Sequence, residues 1–231
     1  MPLSKFKAVF FDVGGTMIRV HPSVGDVYAT HARDFGFSGT PDELNEGFRS
    51  QWEKMGGIES LGNQSGPEVE EKFWKDLVFE VFQPLGGLKR FDEYFELIFE
   101  VFRDGSNWKI HEDVIESRIF EKLKARGIIL GVISNWDSRL TSTLESLKLA
   151  HHFKFILPSA VVGSAKPDNK IFEEALRLSG VKPHEACHIG DEVKTDIVGA
   201  RNAGIHGILL DRDNRFDDSI QPKVKSFLEL V

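Results

Sequence analysis

A single cysteine, Cys187, stands among 231 residues. No internal disulfide can form from it, and such sparse use suits a reducing cytosol. Cys187 sits inside an apolar run and reads as a small buried hydrophobe rather than a reactive thiol. Long hydrophobic runs are missing too: no apolar stretch approaches the roughly 20 residues that span a bilayer, which argues against a membrane protein. Basic residues are outnumbered, 29 Lys and Arg against 36 Asp and Glu, for a formal net charge of -7. Because no basic block concentrates them, a nucleic-acid or anionic-membrane partner is disfavoured. Residues 1–7 lead straight into a strand-like run, so no signal peptide is expected and the protein reads as cytoplasmic. There are no internal repeats. Oligomeric state is left open, a monomer being compatible with all of this.

What is present is an ordinary globular composition, 41% hydrophobic and 28% charged. At this length the chain can bury one core plus a smaller appended module. The most informative segment is Ala8-Val9-Phe10-Phe11-Asp12-Val13-Gly14-Gly15-Thr16. Its apolar start lacks alternation, as expected of a strand buried on both faces of a parallel sheet. Asp12 then emerges at the strand's carboxyl edge, where open α/β sheets place their ligands.

From Val24 to Trp108 the texture changes. Val24, Tyr28 and Phe35, then Leu44, Phe48 and Trp52, then Val69, Phe73 and Leu77, then Phe91, Phe95, Ile98 and Phe102 recur at helical spacing. Pro67 suits a first helical turn, and Gly56-Gly57 and Gly86-Gly87 break the segments. After Trp108 strands and helices alternate again. Strands are expected over 128–133, 154–157, 186–189 and 205–210. Helices are expected after Asp137 or Ser138, after Asp168, over 196–204 and over 224–230. The pattern predicts an α/β fold, a doubly wound parallel sheet with right-handed crossovers, into which an all-helical module is inserted. The core comprises residues 1–20 and 109–231, and the insertion residues 21–108.

Polar residues that the fold does not require stand at several strand ends: Asp12, Ser134, the Lys166-Pro167 turn, and Asp191 with Asp196. Singly, each has an ordinary explanation, a helix-entry Ser, a solvated Lys or a turn Asp. Together, in this order and at one sheet edge, they form a constellation. At this point the chain resembles the haloacid dehalogenase-like (HAD) hydrolase superfamily. Asp12-Val13-Gly14-Gly15-Thr16 is similar to its first motif and Val132-Ile133-Ser134-Asn135 to its second. Lys166-Pro167-Asp168 is similar to the third, and the 190–196 segment, Gly190 to Asp196, to the fourth. The resemblance covers the whole chain, with the helical insertion matching the C1 type of cap in position and size.

The resemblance implies a Rossmann-like core and a phosphohydrolase that works through an aspartyl-phosphate on Asp12. Mg²⁺ would be held by Asp12, Asp191 and the Gly14 carbonyl, with Asp196 acting through water. Ser134, Asn135 and Lys166 would bind the small phosphorylated substrate, and Ser134 and Lys166 would assist catalysis. One position departs from the pattern. Most phosphatases of the superfamily carry a second Asp where this chain has Gly14, and its carboxyl protonates the leaving oxygen. Losing general acid–base help of that kind costs about 10²–10⁴ in rate. Three explanations are open. The substrate needs little leaving-group protonation, or His21 stands in as the acid. Alternatively the reaction occurs at carbon, as in dehalogenases and in phosphonatases that use a cap lysine, for which Lys54 would be the candidate. The third is a non-catalytic binder, as in a branch of the superfamily that also lacks the second Asp.

Overall fold

The computed structural model describes residues 3–64 and 66–230. Strand β1 (Ala8–Phe11) runs through the centre of a six-stranded sheet, between β4 (Ile129–Ser134) and β6 (Ala186–Gly190). Beyond β4 lies β5 (Phe155–Pro158); beyond β6 lie β7 (His206–Leu210) and β8 (Lys223–Val224). Every pairing in it is parallel. All four residues of β1 are fully buried. Val9 and Phe11 face one apolar cluster with Ile119, Phe120 and Phe227, while Ala8 and Phe10 face another with Phe172, Ala175 and Ile205. A run without alternation is therefore what this position demands. From β1 the chain builds outward through β4 and β5, then returns to β1's other side with β6. That reversal puts a topological switch point at the carboxyl end of β1.

The chain leaves this sheet through β2 (Ile18–Val20) and re-enters through β3 (Trp108–Ile110), paired antiparallel as a stem. Between them stand α1 (Val24–Ala32), α2 (Pro41–Met55), α3 (Pro67–Phe82) and α4 (Phe91–Val101). Thr40 and Glu43 close a reciprocal capping box at the start of α2, and Pro41 and Pro67 occupy first-turn positions. The buried faces meet in a separate aromatic core that includes Tyr28, Phe73, Phe82 and Tyr94. Val69 does not join it. The buried stripe of α3 runs Glu70, Phe73, Leu77, Val81, so Val69 falls one step off and is 41% exposed.

Elsewhere the structure differs from expectation in four places. Two short helices, α5 (Glu112–Ser117) and α6 (Ile119–Ala125), follow the stem, separated by Arg118 at φ 52°. The expected terminal helix is instead β8 followed by a 3-10 turn at Phe227–Leu230. Pairing of Leu210 with Val224 extends the sheet, and Val224, Phe227 and Leu230 fill its core, so backbone pairing overrides the helical spacing. Helix α7 (Leu140–Ser146) has Arg139, not Asp137 or Ser138, at its N-cap, and Asp137 accepts from the Arg139 N–H. The 196–204 segment opens earlier, as a wide π-helical turn at Val193–Val198. A short α8 (Ser159–Val162) and α9 (Asn169–Ser179) precede β6, and α10 (Gly199–Asn202) precedes β7. Asp168 caps α9 as expected, accepting from Lys170 N–H.

Candidate active site

The strand ends bring Asp12, Ser134 and Lys166 together. Asp12 N–H donates to the Ile189 carbonyl at 2.9 Å, carrying the β1–β6 ladder one residue past the strand. Its carboxylate, 7% exposed, accepts on Oδ1 from Ser134 Oγ at 2.9 Å and from Lys166 Nζ at 2.7 Å. On the other oxygen, Thr16 Oγ1 lies 3.2 Å from Asp12 Oδ2 and 2.9 Å from Asp191 Oδ1. One hydroxyl proton serves one carboxylate at a time, so Thr16 links the two carboxylates without satisfying both.

Lys166 also donates to Asp196 Oδ1 at 2.5 Å. Burial alone would lower its pKa, but Asp12 and Asp196 outweigh that and hold the ammonium above its ordinary range. Burial works against the Asp196 carboxylate as well, yet Lys166 and His188 keep its pKa below the usual carboxylate range. His188 is fully buried, which depresses its pKa. In its neutral form Nε2–H donates to Asp196 Oδ1 at 2.9 Å, and Glu192 N–H donates to Oδ2 at 3.0 Å. Both oxygens of Asp196 are thus committed to holding Lys166 and the turn after β6. Room for this carboxylate comes from Gly190, where a Cβ would stand 2.1 Å from Asp196 Cγ. Asn135, expected to bind substrate, is engaged with the lysine turn. Its amide donates to the Lys166 carbonyl at 2.9 Å and accepts from the Lys166 N–H at 2.7 Å, bracing the lysine turn.

Asp12, Asp191 and Asp196 each present a carboxylate oxygen within 4.8 Å of the others. Burial first, then repulsion from Asp12 and Asp196, pushes the Asp191 carboxyl up to about 7. A half-buried carboxylate so disfavoured as an anion, in a cluster whose candidate ligands are all carboxylate oxygens, fits a hard divalent cation. Gly15 shapes this corner twice over. Its φ is +74°, and a Cβ there would lie 2.4 Å from Asp191 Oδ2. Gly14 is exposed, and a Cβ there would meet only the Trp136 ring, at 3.4 Å. Sterics therefore do not require glycine at position 14.

Two arginines from the loop after β7 complete the site, and sequence reasoning missed both. Arg212 donates to the Gly15 and Thr16 carbonyls, both at 2.7 Å, and pairs with Asp113 at 2.9 Å. Arg215 donates to the Asp191 carbonyl at 2.9 Å and reaches Asp191 Oδ2 at 3.3 Å and Glu192 Oε1 at 3.1 Å. The available signal was their position, just past an apolar strand at the same sheet edge. His21 lies exposed between β2 and α1, and no hydrogen bond among the described residues brings its ring to Asp12. Lys54 is an exposed side chain on α2. Cys187 is buried, and burial pushes its thiol pKa up.

Comparison with known proteins points the same way. The haloacid dehalogenase-like hydrolase profile matches residues 6–204. Haloacid dehalogenase-like hydrolase domain-containing protein 3 of Homo sapiens is 30% identical over 223 residues, covering 95% of this chain and 88% of the relative. The Rhythmically expressed gene 2 protein of Drosophila melanogaster is 29% identical over 218 residues, covering 90% and 84%. Among solved structures, the HAD phosphatase of Thermococcus onnurineus aligns with a TM-score of 0.68 at 22% identity, over 96% of this chain and 95% of that one. Magnesium-bound YfnB of Bacillus subtilis aligns with a TM-score of 0.77 at 16% identity, over 97% and 96%. At such identities the solved structures speak for the fold alone. The profile and the relatives speak for descent, and by them the chain belongs to the haloacid dehalogenase-like hydrolase family.

Proposed function

We propose that the chain is a Mg²⁺-dependent phosphohydrolase of small phosphorylated metabolites, acting through Asp12, with Ser134 and Lys166 as its catalytic partners. The observation that carries this reading is the pairing of one Asp12 oxygen with both Lys166 and Ser134, beside a half-buried Asp191 whose carboxyl is pushed up to about 7 despite the exposed Arg215 at 3.3 Å. The ion would be held by Asp12, Asp191 and the Gly14 carbonyl. Its chemistry is to offset the negative charge that a phosphoryl group brings to a carboxylate. Magnesium in the YfnB structure supports that choice of ion. Asp196 is better suited to holding Lys166 than to the ion, because both its oxygens are already engaged.

Asp12 attacks phosphorus while the bond to the leaving oxygen breaks, and the Lys166 ammonium and Ser134 hydroxyl neutralise charge on the transferring group. Water then opens the aspartyl-phosphate. Residues 21–108 serve as the cap over this edge. Glu70 of α3 accepts from Ser159 Oγ at 3.1 Å, and the Phe99 carbonyl of α4 accepts from Arg139, both beside the carboxyl ends of β4 and β5. Retention of Asp191 counts against dehalogenation, and a binder would have no need of the buried Lys166 pair.

Incubation with acetyl phosphate or beryllofluoride in the presence of Mg²⁺ tests the reading, with mass spectrometry of the Asp12 peptide as readout. An adduct that is absent in Asp12→Asn is expected. Neither adduct nor phosphate release across acetyl and p-nitrophenyl phosphate would favour the binder. Halide release from 2-haloacids, or aldehyde from phosphonoacetaldehyde, would move the chemistry to carbon.

A further inference from the structure

We infer that Trp136 is the platform for the substrate's leaving group, and that this group is a flat phenolic ring, making the substrate an aryl phosphate monoester. The inference rests on the phosphohydrolase reading and names the substrate class of that same site. Trp136 follows Ser134 by two residues, and its Cζ3 lies 3.4 Å from where a Cβ on Gly14 would stand. The indole edge therefore borders the position that carries the leaving-group acid in related phosphatases. Gly14 leaves that position empty and exposed. A ring leaving from phosphorus has room there only because no side chain grows from residue 14.

The platform is rigid. Trp136 N–H donates to Ser159 Oγ at 3.1 Å, and its carbonyl accepts from Ala160 N–H at 3.2 Å. Behind the indole stands Trp108, with ring centroids 4.9 Å apart, itself tied by Nε1–H to the Phe102 carbonyl at 3.0 Å. Trp136 remains half-buried, with surface left to contact a ligand.

The chemistry selects the same class. Among the described residues only the Trp136 ring comes within 4 Å of where a Cβ on Gly14 would stand, so no acid is built at that position and the leaving oxygen departs with its bonding electron pair and no proton. Phenolate tolerates this far better than alkoxide. Asp12 forms the new P–O bond as the aryl P–O bond breaks, and the phenolate takes its proton from solvent. Water then adds to phosphorus, the Asp12–phosphorus bond breaks, and inorganic phosphate leaves. The balance is aryl phosphate plus water giving phenol plus phosphate.

The test compares substituted phenyl phosphates, ethyl phosphate and acetyl phosphate in the parent, Trp136→Ala and Trp136→Phe. In the parent, kcat/KM should fall steeply with leaving-group pKa, placing ethyl phosphate about 10²–10⁴ below the aryl esters. Trp136→Ala should lose about two- to tenfold more kcat/KM on phenyl phosphates than on acetyl phosphate, mainly through KM, as one lost ring contact implies. Trp136→Phe should restore most of that difference. As a readout free of turnover, the Ki ratio of phenylphosphonate to methylphosphonate should rise by the same factor in Trp136→Ala. Equal losses on acetyl and phenyl phosphate, or an unchanged Ki ratio, would overturn the platform while leaving the phosphohydrolase intact. Failure of every phosphate ester and of acetyl phosphate would remove both.

Discussion

At the scale of single residues the site is a problem in charge. Three carboxylates share one buried ammonium, and Lys166 is claimed by Asp12 and Asp196. Asp191 is left with the Thr16 hydroxyl and the partly exposed Arg215, and its carboxyl is pushed up to about 7. In the metal-free protein this raised value means that Asp191 contributes most stability when protonated. That contribution is lost as pH rises from the ordinary carboxylate range through about 7. Asp191→Asn should therefore raise the Tm of the metal-free protein at pH 7–8, flatten its pH dependence over that window and abolish any rise in Tm with Mg²⁺. Scanning calorimetry with and without Mg²⁺ checks it; a lower metal-free Tm in the variant would contradict the repulsion. Asp12, Ser134 and Asp191 were legible because each stands at the end of an apolar run where a polar side chain is out of place, and Lys166 because it opens a Lys-Pro turn at the same sheet edge. His188 was hidden inside such a run. The bracing of the lysine turn by Asn135 has no sequence signal, because its partner is the backbone of Lys166, 31 residues away.

Among elements, the buried strands were the easiest to read and the stem the hardest. β1, β4 and β6 are continuous apolar runs because they are covered on both faces. β2 and β3 are three residues each, half-buried apart from Ile18, and pair across about 90 residues of chain, so neither carries a local pattern. The loop after β7 offers only the position of its arginines past an apolar strand as a signal, yet it holds the first motif in place. Arg212 ties the Gly15 and Thr16 carbonyls to Asp113, and Asp113 in turn accepts from Phe227 N–H at 2.9 Å. Arg212→Ala removes charge-assisted hydrogen bonds worth about 1.5–3 kcal/mol and frees the turn between Asp12 and Thr16. Loss of that order in urea unfolding is expected, with a fall in kcat on acetyl phosphate. Arg212→Lys should recover little, since a single ammonium lacks the planar fork that spans two carbonyls and a carboxylate. Full recovery by Lys would mean that charge alone matters here.

At the scale of the whole molecule the described residues form three apolar clusters, one on each face of the sheet and one among α1–α4, and the proposed cap role requires the helices to be tied to the sheet. Arg139 is the firmest link between them. It forks onto Asp137 on the sheet side, with Nε–Oδ1 at 2.8 Å and Nη2–Oδ2 at 2.5 Å. On the other side Nη1 donates to the Phe99 carbonyl, and the guanidinium lies 3.6 Å from the Phe99 ring centre. Thr143 and Ser146 of α7 add weaker ties to the chain just after α4, through the Arg103 carbonyl and the Gly105 N–H. Arg139→Met would strand Asp137, 1% exposed, as an unpaired buried charge, at a cost of about 3–5 kcal/mol. Asp137→Asn combined with Arg139→Met removes that charge and should regain most of the loss in urea unfolding. It cannot rebuild the bond to the Phe99 carbonyl, so faster amide hydrogen exchange at the end of α4 should persist in the double variant. If exchange there returned to the parent rate along with stability, the link would be a feature of the sheet domain alone and the cap would be held by its stem.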